Sequence, residues 1–203
     1  LFREPREPYW WWGQRCATSG EYKAAWNFTQ GYIQKRVHNV LWAYSPCKTA
    51  TDFTAALTTW YPGNHMVDII SIDRYESTPE ALKKSIMADC SALVGFCIEN
   101  GKIAAFGEVG IMNGLQTTLD KTFFESAIMG GMEDPYCQEN LAYILMWSNF
   151  NSGKYWTPLY SQTTGESFYK YAHHNSSAFL SDESWQKFPY PMTAKDAYLP
   201  ASD

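Results

Sequence analysis

Four apolar runs recur along the chain: NVLWAYSP (39–46), MVDIISIDRY (66–75), KIAAFGEVG (102–110) and LAYILMWSN (141–149). Each reads as a strand, and LFRE (1–4) reads as the start of a fifth. Helical signals fill the intervals. Tyr22, Trp26, Ile33 and Val37 keep a helical period over 20–37, and capping residues open a helix over 49–60 that stops near YPGN. The stretch 78–101 has proline at its start and glycine at its end, with Leu82, Ile86, Cys90, Leu93 and Cys97 along one side. Further helices are expected around 118–130 and over 165–174. Such alternation predicts a parallel sheet covered by helices. The near-continuous AYILMW fits burial on both faces. Five strand–helix units are counted, whereas a closed (β/α)8 barrel needs eight and about 250 residues. A doubly wound sheet suits the length, but no GxGxxG or phosphate loop follows any strand. The pattern alone leaves both open.

Composition narrows the function more than the fold. A chain of 203 residues, 45% hydrophobic and 18% charged, is globular and long enough for one sizeable core. Its net charge of -5 and lack of a basic stripe argue against nucleic acid. No apolar run approaches the roughly 18 residues of a membrane span. The chain starts at Leu1 with no signal peptide, as expected of a mature product or a fragment. The five cysteines (Cys16, Cys47, Cys90, Cys97, Cys137) form no CxxC and no metal spacing with histidine. They are expected to be mostly small buried hydrophobes. Aromatics reach 17%, with 9 Trp and 14 Tyr. Flat apolar faces with a polar edge stack on sugar rings, so a carbohydrate ligand is compatible with this composition.

Two carboxylates stand where strands end. Glu108 closes KIAAFGE between Gly107 and Gly110, and Glu7 follows the first strand, just before Trp10, Trp11 and Trp12. A helix cap or a strand-end ion pair is the plain alternative for Glu108. Two glutamates a hundred residues apart, beside tryptophans, also suit a retaining glycosidase, with one carboxyl as acid/base and the other as nucleophile. In an extended strand Glu4 and Glu7 cannot both point inward unless the chain turns at Pro5. His38, His173 and His174 are read as structural or surface residues.

LFREPREPYWWWG resembles the acid/base segment of glycoside hydrolase family 26, the β-mannanase family. The runs HNVLWAYSP, YPGNHMVDIISIDRY, KIAAFGEVG, AYILMWSN and YWTPLYSQTTGESFYKYA match it in order, over essentially the whole chain. The resemblance implies a (β/α)8 TIM-type barrel, of which residues 1–203 would be a partial catalytic domain carrying strands 4–8 and their helices. It implies a retaining endo-β-1,4-mannanase with Glu7 as acid/base, Glu108 as nucleophile, Tyr75 hydrogen-bonded to that nucleophile, and Asp73 beside it. Trp147 would floor the sugar site, with Trp10, Trp11 and Trp12 as its wall. Arg6 would stand where the family has histidine before the acid/base, and Glu4 is the runner-up for that acid. The ligand would be β-mannan or a mannooligosaccharide, with no metal or organic cofactor, and the location secreted, periplasmic or cell-surface. A β-glucanase, a β-xylanase and a non-catalytic glycan-binding protein or incomplete barrel are the alternatives.

Overall fold

The structure, a computed structural model, describes residues 2–47, 53–150, 153–179 and 182–183. Four strands, β1 (Ala43–Tyr44), β2 (Ile69–Glu76), β3 (Ile103–Ile111) and β4 (Leu141–Met146), form one sheet in sequential order. Every pairing is parallel. The helices are α1 (Ser19–Gln34), α2 (Phe53–Trp60), α3 (Pro79–Asn100), α4 (Pro135–Asn140) and α5 (Gly165–Ala172), with a π-helical stretch at Phe124–Met129. A parallel sheet in chain order with helices between its strands is the architecture of a partial α/β barrel, not of a doubly wound sheet, whose order reverses.

Strand β2 shows how the sequence assigns its two faces. Successive side chains alternate sides, so Ile70, Ile72 and Arg74 share one face and Ser71, Asp73 and Tyr75 the other. Arg74 identifies the helix side: its guanidinium, buried, pairs with Asp89 of α3 and reaches Glu76 at 3.2 Å. Leu82, Ile86, Leu93 and Val94 of α3 are buried on that side with Ile70 and Ile72. Thr78 caps α3 by accepting the Ala81 N–H at 3.2 Å, Pro79 opens it, and Gly101 ends it at φ 63°, where a side chain would be strained. The opposite face, polar along β2, lines the interior of the curved sheet.

One irregularity in that sheet positions the chemistry. The register runs Ile72↔Phe106 and then Asp73↔Glu108, so Gly107 is an extra residue in β3. Without this bulge Gly107 would stand beside Asp73; with it, Glu108 does.

Several expected boundaries shift. Residues 2–4 form no strand, although the Glu4 N–H still donates to Ser45 O at 2.9 Å, next to β1. The helix expected from 118 starts at Phe123, because Asp120 instead makes a turn that accepts from Thr122 and Ser126. The proposed start of α2 at 49–52 lies outside the described residues. Helix α4 has no counterpart in the sequence reading; Asp134 caps it and Pro135 opens it. Cys90 is not simply a buried hydrophobe: it forms a disulfide with Cys137, joining α3 to α4 with Cα atoms 5.9 Å apart. Cys97 is free and buried, while Cys16 is exposed and Cys47 half-buried.

Candidate active site

The interior face of β2 and β3 carries a compact polar platform. Glu108 (4% exposed) accepts the Tyr75 hydroxyl at 2.8 Å on Oε2. Asp73 (3% exposed) accepts from Ser45 Oγ at 2.8 Å on Oδ1, while its Oδ2 has no hydrogen-bond partner among the described residues. Gly107 is what lets these groups close up. A Cβ there would lie 2.6 Å from Asp73 Oδ1 and collide with Ser45 Oγ. Gly110 serves the same end further along, since a Cβ would strike Trp156, whose indole N–H donates to Ile111 O at 2.8 Å.

The first segment brings a third carboxyl to this platform. Glu4-Pro5-Arg6-Glu7 is a turn closed by the Glu7 N–H donating to Glu4 O at 3.0 Å, and the Gln14 N–H donates to Pro5 O at 2.8 Å. Glu4 sits at φ 49° and Phe2 at φ 41°, a left-handed conformation costing on the order of 1–3 kcal/mol each for such residues. The fold holds them there. Glu4 (8% exposed) accepts from Trp10 Nε1 at 3.2 Å and from the Tyr9 hydroxyl at 3.4 Å. One oxygen each from Glu4, Asp73 and Glu108 lie within 4.8 Å of one another.

Arg3 ties the cluster together. One guanidinium nitrogen donates to Glu108 Oε1 and the other to Glu4 Oε2 at 3.3 Å, and Cζ lies 4.6 Å from the centroid of Trp147. The backbone of Arg3 is pinned separately, its carbonyl accepting from Trp12 Nε1 at 2.9 Å. Trp10 and Trp12 stack with centroids 4.8 Å apart, while Trp11 turns outward, 65% exposed. The three carboxyls have the spacing of cation ligands, and a guanidinium already supplies positive charge there.

Burial sets the electrostatics. It pushes Asp73 up to about 8, helped by the charge of Glu108 and opposed by Ser45 and Arg3, so Asp73 is protonated at neutral pH. Glu108 is also raised by burial, while Tyr75 and Arg3 pull it back. Burial and the adjacent Glu108 hold the Tyr75 phenol far above its ordinary range, so it remains a donor.

Of the residues singled out in the sequence, Glu108, Tyr75, Asp73, Trp147, Trp10 and Trp12 converge here. Glu7 does not. The turn at Pro5 carries it to the side of Cys47, whose thiol burial and Glu7 push up to about 12. Arg6 goes the same way, and its Nη1 is buried without a partner among the described residues. The sequence reading missed Arg3, Ser45 and Tyr9. Ser45 follows directly on the apolar β1, a position that signals a strand-end side chain facing the site. Arg3 and Tyr9 gave no such signal, because an irregular turn places them.

Comparison with known proteins gives the family. The pattern of Glycosyl hydrolase family 26 matches residues 1–152. A mannan endo-1,4-beta-mannosidase of Bifidobacterium adolescentis is 28% identical over 162 residues, covering 71% of this chain and 16% of that protein. Mannan endo-1,4-beta-mannosidase A and B of Caldalkalibacillus mannanilyticus is 26% identical over 167 residues, covering 77% of this chain and 30% of that one. Among solved structures, a modular endo-beta-1,4-mannanase from Cellulomonas fimi superposes with a TM-score of 0.79 at 29% identity, over 89% of this chain and 41% of its own. The chain thus spans less than half the length of each of these three. With a pattern match across most of its residues and the same parallel β/α architecture, the chain belongs to glycosyl hydrolase family 26.

Proposed function

We propose that this chain carries the catalytic centre of a retaining mannan endo-1,4-β-mannosidase, with Glu108 as nucleophile and Glu4, in place of Glu7, as acid/base. The observation that carries the reading is the approach of Glu4 and Glu108 oxygens to within 4.8 Å. A retaining pair works at about 5–5.5 Å, whereas an inverting pair needs about 6.5–9.5 Å to admit water. Glu108 attacks the anomeric carbon and the bond to the leaving oxygen breaks as Glu4 gives that oxygen its proton. Glu4 then takes a proton from water, which displaces Glu108 and restores both groups. Tyr75 orients Glu108 through its 2.8 Å hydrogen bond, Trp147 floors the sugar, and Trp10 and Trp12 wall the side that holds Glu4. Residues 1–203 are read as part of a (β/α)8 domain.

Mannan as the substrate rests on the named relatives. Among the described residues no helix is long and apolar enough to cross a membrane. The Cys90–Cys137 disulfide favours an oxidising compartment, hence a secreted, periplasmic or cell-surface location. Proton NMR of mannotetraose hydrolysis is the test: β-configured product should appear first and mutarotate later. First-formed α product would overturn the retaining pair, and faster cleavage of β-glucan or xylan would move the substrate. A second reading, glycan binding without turnover, is favoured by Arg3 between the two carboxylates. Binding without any released sugar would establish it.

A further inference from the structure

We infer that Trp156 is a positioning residue for this site: its indole, seated in the space that Gly110 leaves open, walls the ring of Tyr75 and so aims the phenol at Glu108. The inference rests on the reading of Glu108 as nucleophile. The tip of Tyr75 is fixed by its 2.8 Å hydrogen bond to Glu108 Oε2. A hydroxyl at the far end of a rigid ring leaves hydrogen-bond range after a small χ1 swing, so the ring needs support from the side. Trp156 supplies it edge to face, with centroids 6.4 Å apart and ring planes at 87°. Gly110 makes that contact possible, because it stands beside Tyr75 in the register of β2 and β3. A Cβ on Gly110 would strike Trp156 Cδ1, and would lie 2.9 Å from its Nε1 and 3.3 Å from Tyr75 Cε1. The indole thus takes the place of the missing side chain, and both rings close over the same residue. Glu108 is two residues back along β3 and, by alternation, on the same face.

The indole is buried and is itself held from several directions. Its N–H donates to Ile111 O at 2.8 Å, and its ring meets Phe150 with centroids 5.9 Å apart. Asn149 clasps the backbone on one side. Its Oδ1 accepts the Trp156 N–H at 3.0 Å and the Thr157 N–H at 3.1 Å, while its Nδ2 donates to Thr157 O at 2.7 Å. On the other side Tyr155 O accepts the Leu115 N–H at 2.7 Å, and the Tyr155 N–H donates to Gln116 Oε1 at 3.2 Å. Asn149 lies two residues beyond Trp147, so the segment that carries the proposed sugar floor also carries this wall. A tryptophan that served packing alone would affect melting temperature and turnover independently of Tyr75. One that acts through the phenol has effects on turnover that do not add to those of Tyr75.

Steady-state hydrolysis of mannotetraose by the full-length protein tests this as a double-mutant cycle between Trp156 and Tyr75. Trp156→Phe keeps a ring but loses the N–H anchor, and should lower kcat about fivefold with KM near that of wild type. Trp156→Ala removes the wall and should lower kcat about 20-fold, again with little change in KM. In a Tyr75→Phe background the same substitutions should change kcat by less than about twofold, since no hydroxyl is left to aim. Gly110→Ala drives a Cβ into the indole and should behave as Trp156→Ala does. Far-UV circular dichroism and a cooperative melt check that each variant is folded, and Gly110→Ala carries the cycle should the Trp156 variants fail to fold. Multiplicative losses in the double variants, a loss confined to KM, or wild-type kcat in the folded single variants overturns the positioning role. A reduced kcat in Tyr75→Phe would in that case leave the catalytic reading standing. Wild-type kcat in Tyr75→Phe, or no hydrolysis by any form, removes the donor role of Tyr75 and this inference with it.

Discussion

Glu108 and Glu4 reach the same site by opposite means. Glu108 stands on β3, a nine-residue strand paired on both sides, with a glycine bulge next to it that sets its register against β2. Glu4 stands in no regular element, at φ 49°, where a tight turn, two aromatic donors and one backbone hydrogen bond to Ser45 hold it. A strand fixes a side chain's direction by alternation, and any reader of the sequence can count it. A turn fixes direction through the whole set of its contacts, and counting fails there. The two carboxylates should therefore differ in how they respond to change.

The largest effect should come from the pair itself, with Glu7, the residue that resembles its second member, as the control. Glu108→Ala should lower turnover of mannan by at least about 10⁴-fold, the scale on which loss of a nucleophile is read. Glu4→Ala should cost roughly 10²–10⁴-fold on mannan, yet spare the first step on aryl mannosides whose leaving groups need no proton. Glu7→Ala should stay near wild type on both, because its neighbour is Cys47 rather than the carboxyl cluster. Steady-state kinetics on both substrates makes the distinction. Loss of mannan hydrolysis in Glu7→Ala with a normal rate in Glu4→Ala would return the acid role to Glu7.

The same contrast explains what the sequence made legible. Strands β2 and β3, the long helix α3 and the strand-end Glu108 follow from alternation, capping and apolar runs, whereas Asp73, Tyr75 and Trp147 were singled out only by the family resemblance. The sequence reading set Glu7 rather than Glu4 beside the site because LFRE reads as a strand and, counted as one, leaves Glu7 nearest the tryptophans. The backbone instead enters the left-handed region at Phe2 and Glu4, which only glycine ordinarily advertises. It then reverses at Pro5-Arg6. Gly13 is the trace that this left in the sequence: a Cβ there would run into the Glu7 carbonyl, so the loop returns tightly on itself. The disulfide was hidden for a related reason. Its second cysteine sits on a six-residue helix too short for periodicity to reveal.

A smaller effect should come from the hydrogen bond that steadies the strand-borne member. Tyr75→Phe removes the 2.8 Å donor to Glu108 Oε2 and leaves the ring packed at the edge of Trp156. Turnover should fall by about 10–100-fold with little change in melting temperature, since a donor aimed at a reacting carboxylate is lost while burial is kept. The pH profile should move as well. Tyr75 pulls Glu108 down against its burial, so the acidic limb of kcat/KM should shift to higher pH in the variant. An unchanged limb with reduced turnover would assign Tyr75 to the sugar instead of to Glu108.

The last effect, read as stability instead of turnover and confined to the strand side of the comparison, concerns Asp73. Its folded value of about 8 lies above the ordinary 3.8, with burial the main cause and Glu108 the next. The unfolded chain releases this proton near pH 4, whereas the folded chain keeps it to near pH 8. Between those limits the folded state binds more protons, so stability from this group is full below about pH 4 and is lost as pH rises toward 8. Asp73→Asn resembles the protonated acid in shape, can still accept from Ser45 on Oδ1, and does not titrate. Thermal melts from pH 4 to pH 8 should therefore show the variant gaining on wild type steadily, with the largest advantage at the alkaline end. At pH 4 any offset between the two reflects only the amide N–H₂ placed where Oδ2 has no partner. A constant offset across the whole range would mean that Asp73 ionises in the folded protein much as it does in the unfolded one. Glu108 would then face a charged neighbour across the bulge, and the case for a neutral platform beneath the nucleophile would fail.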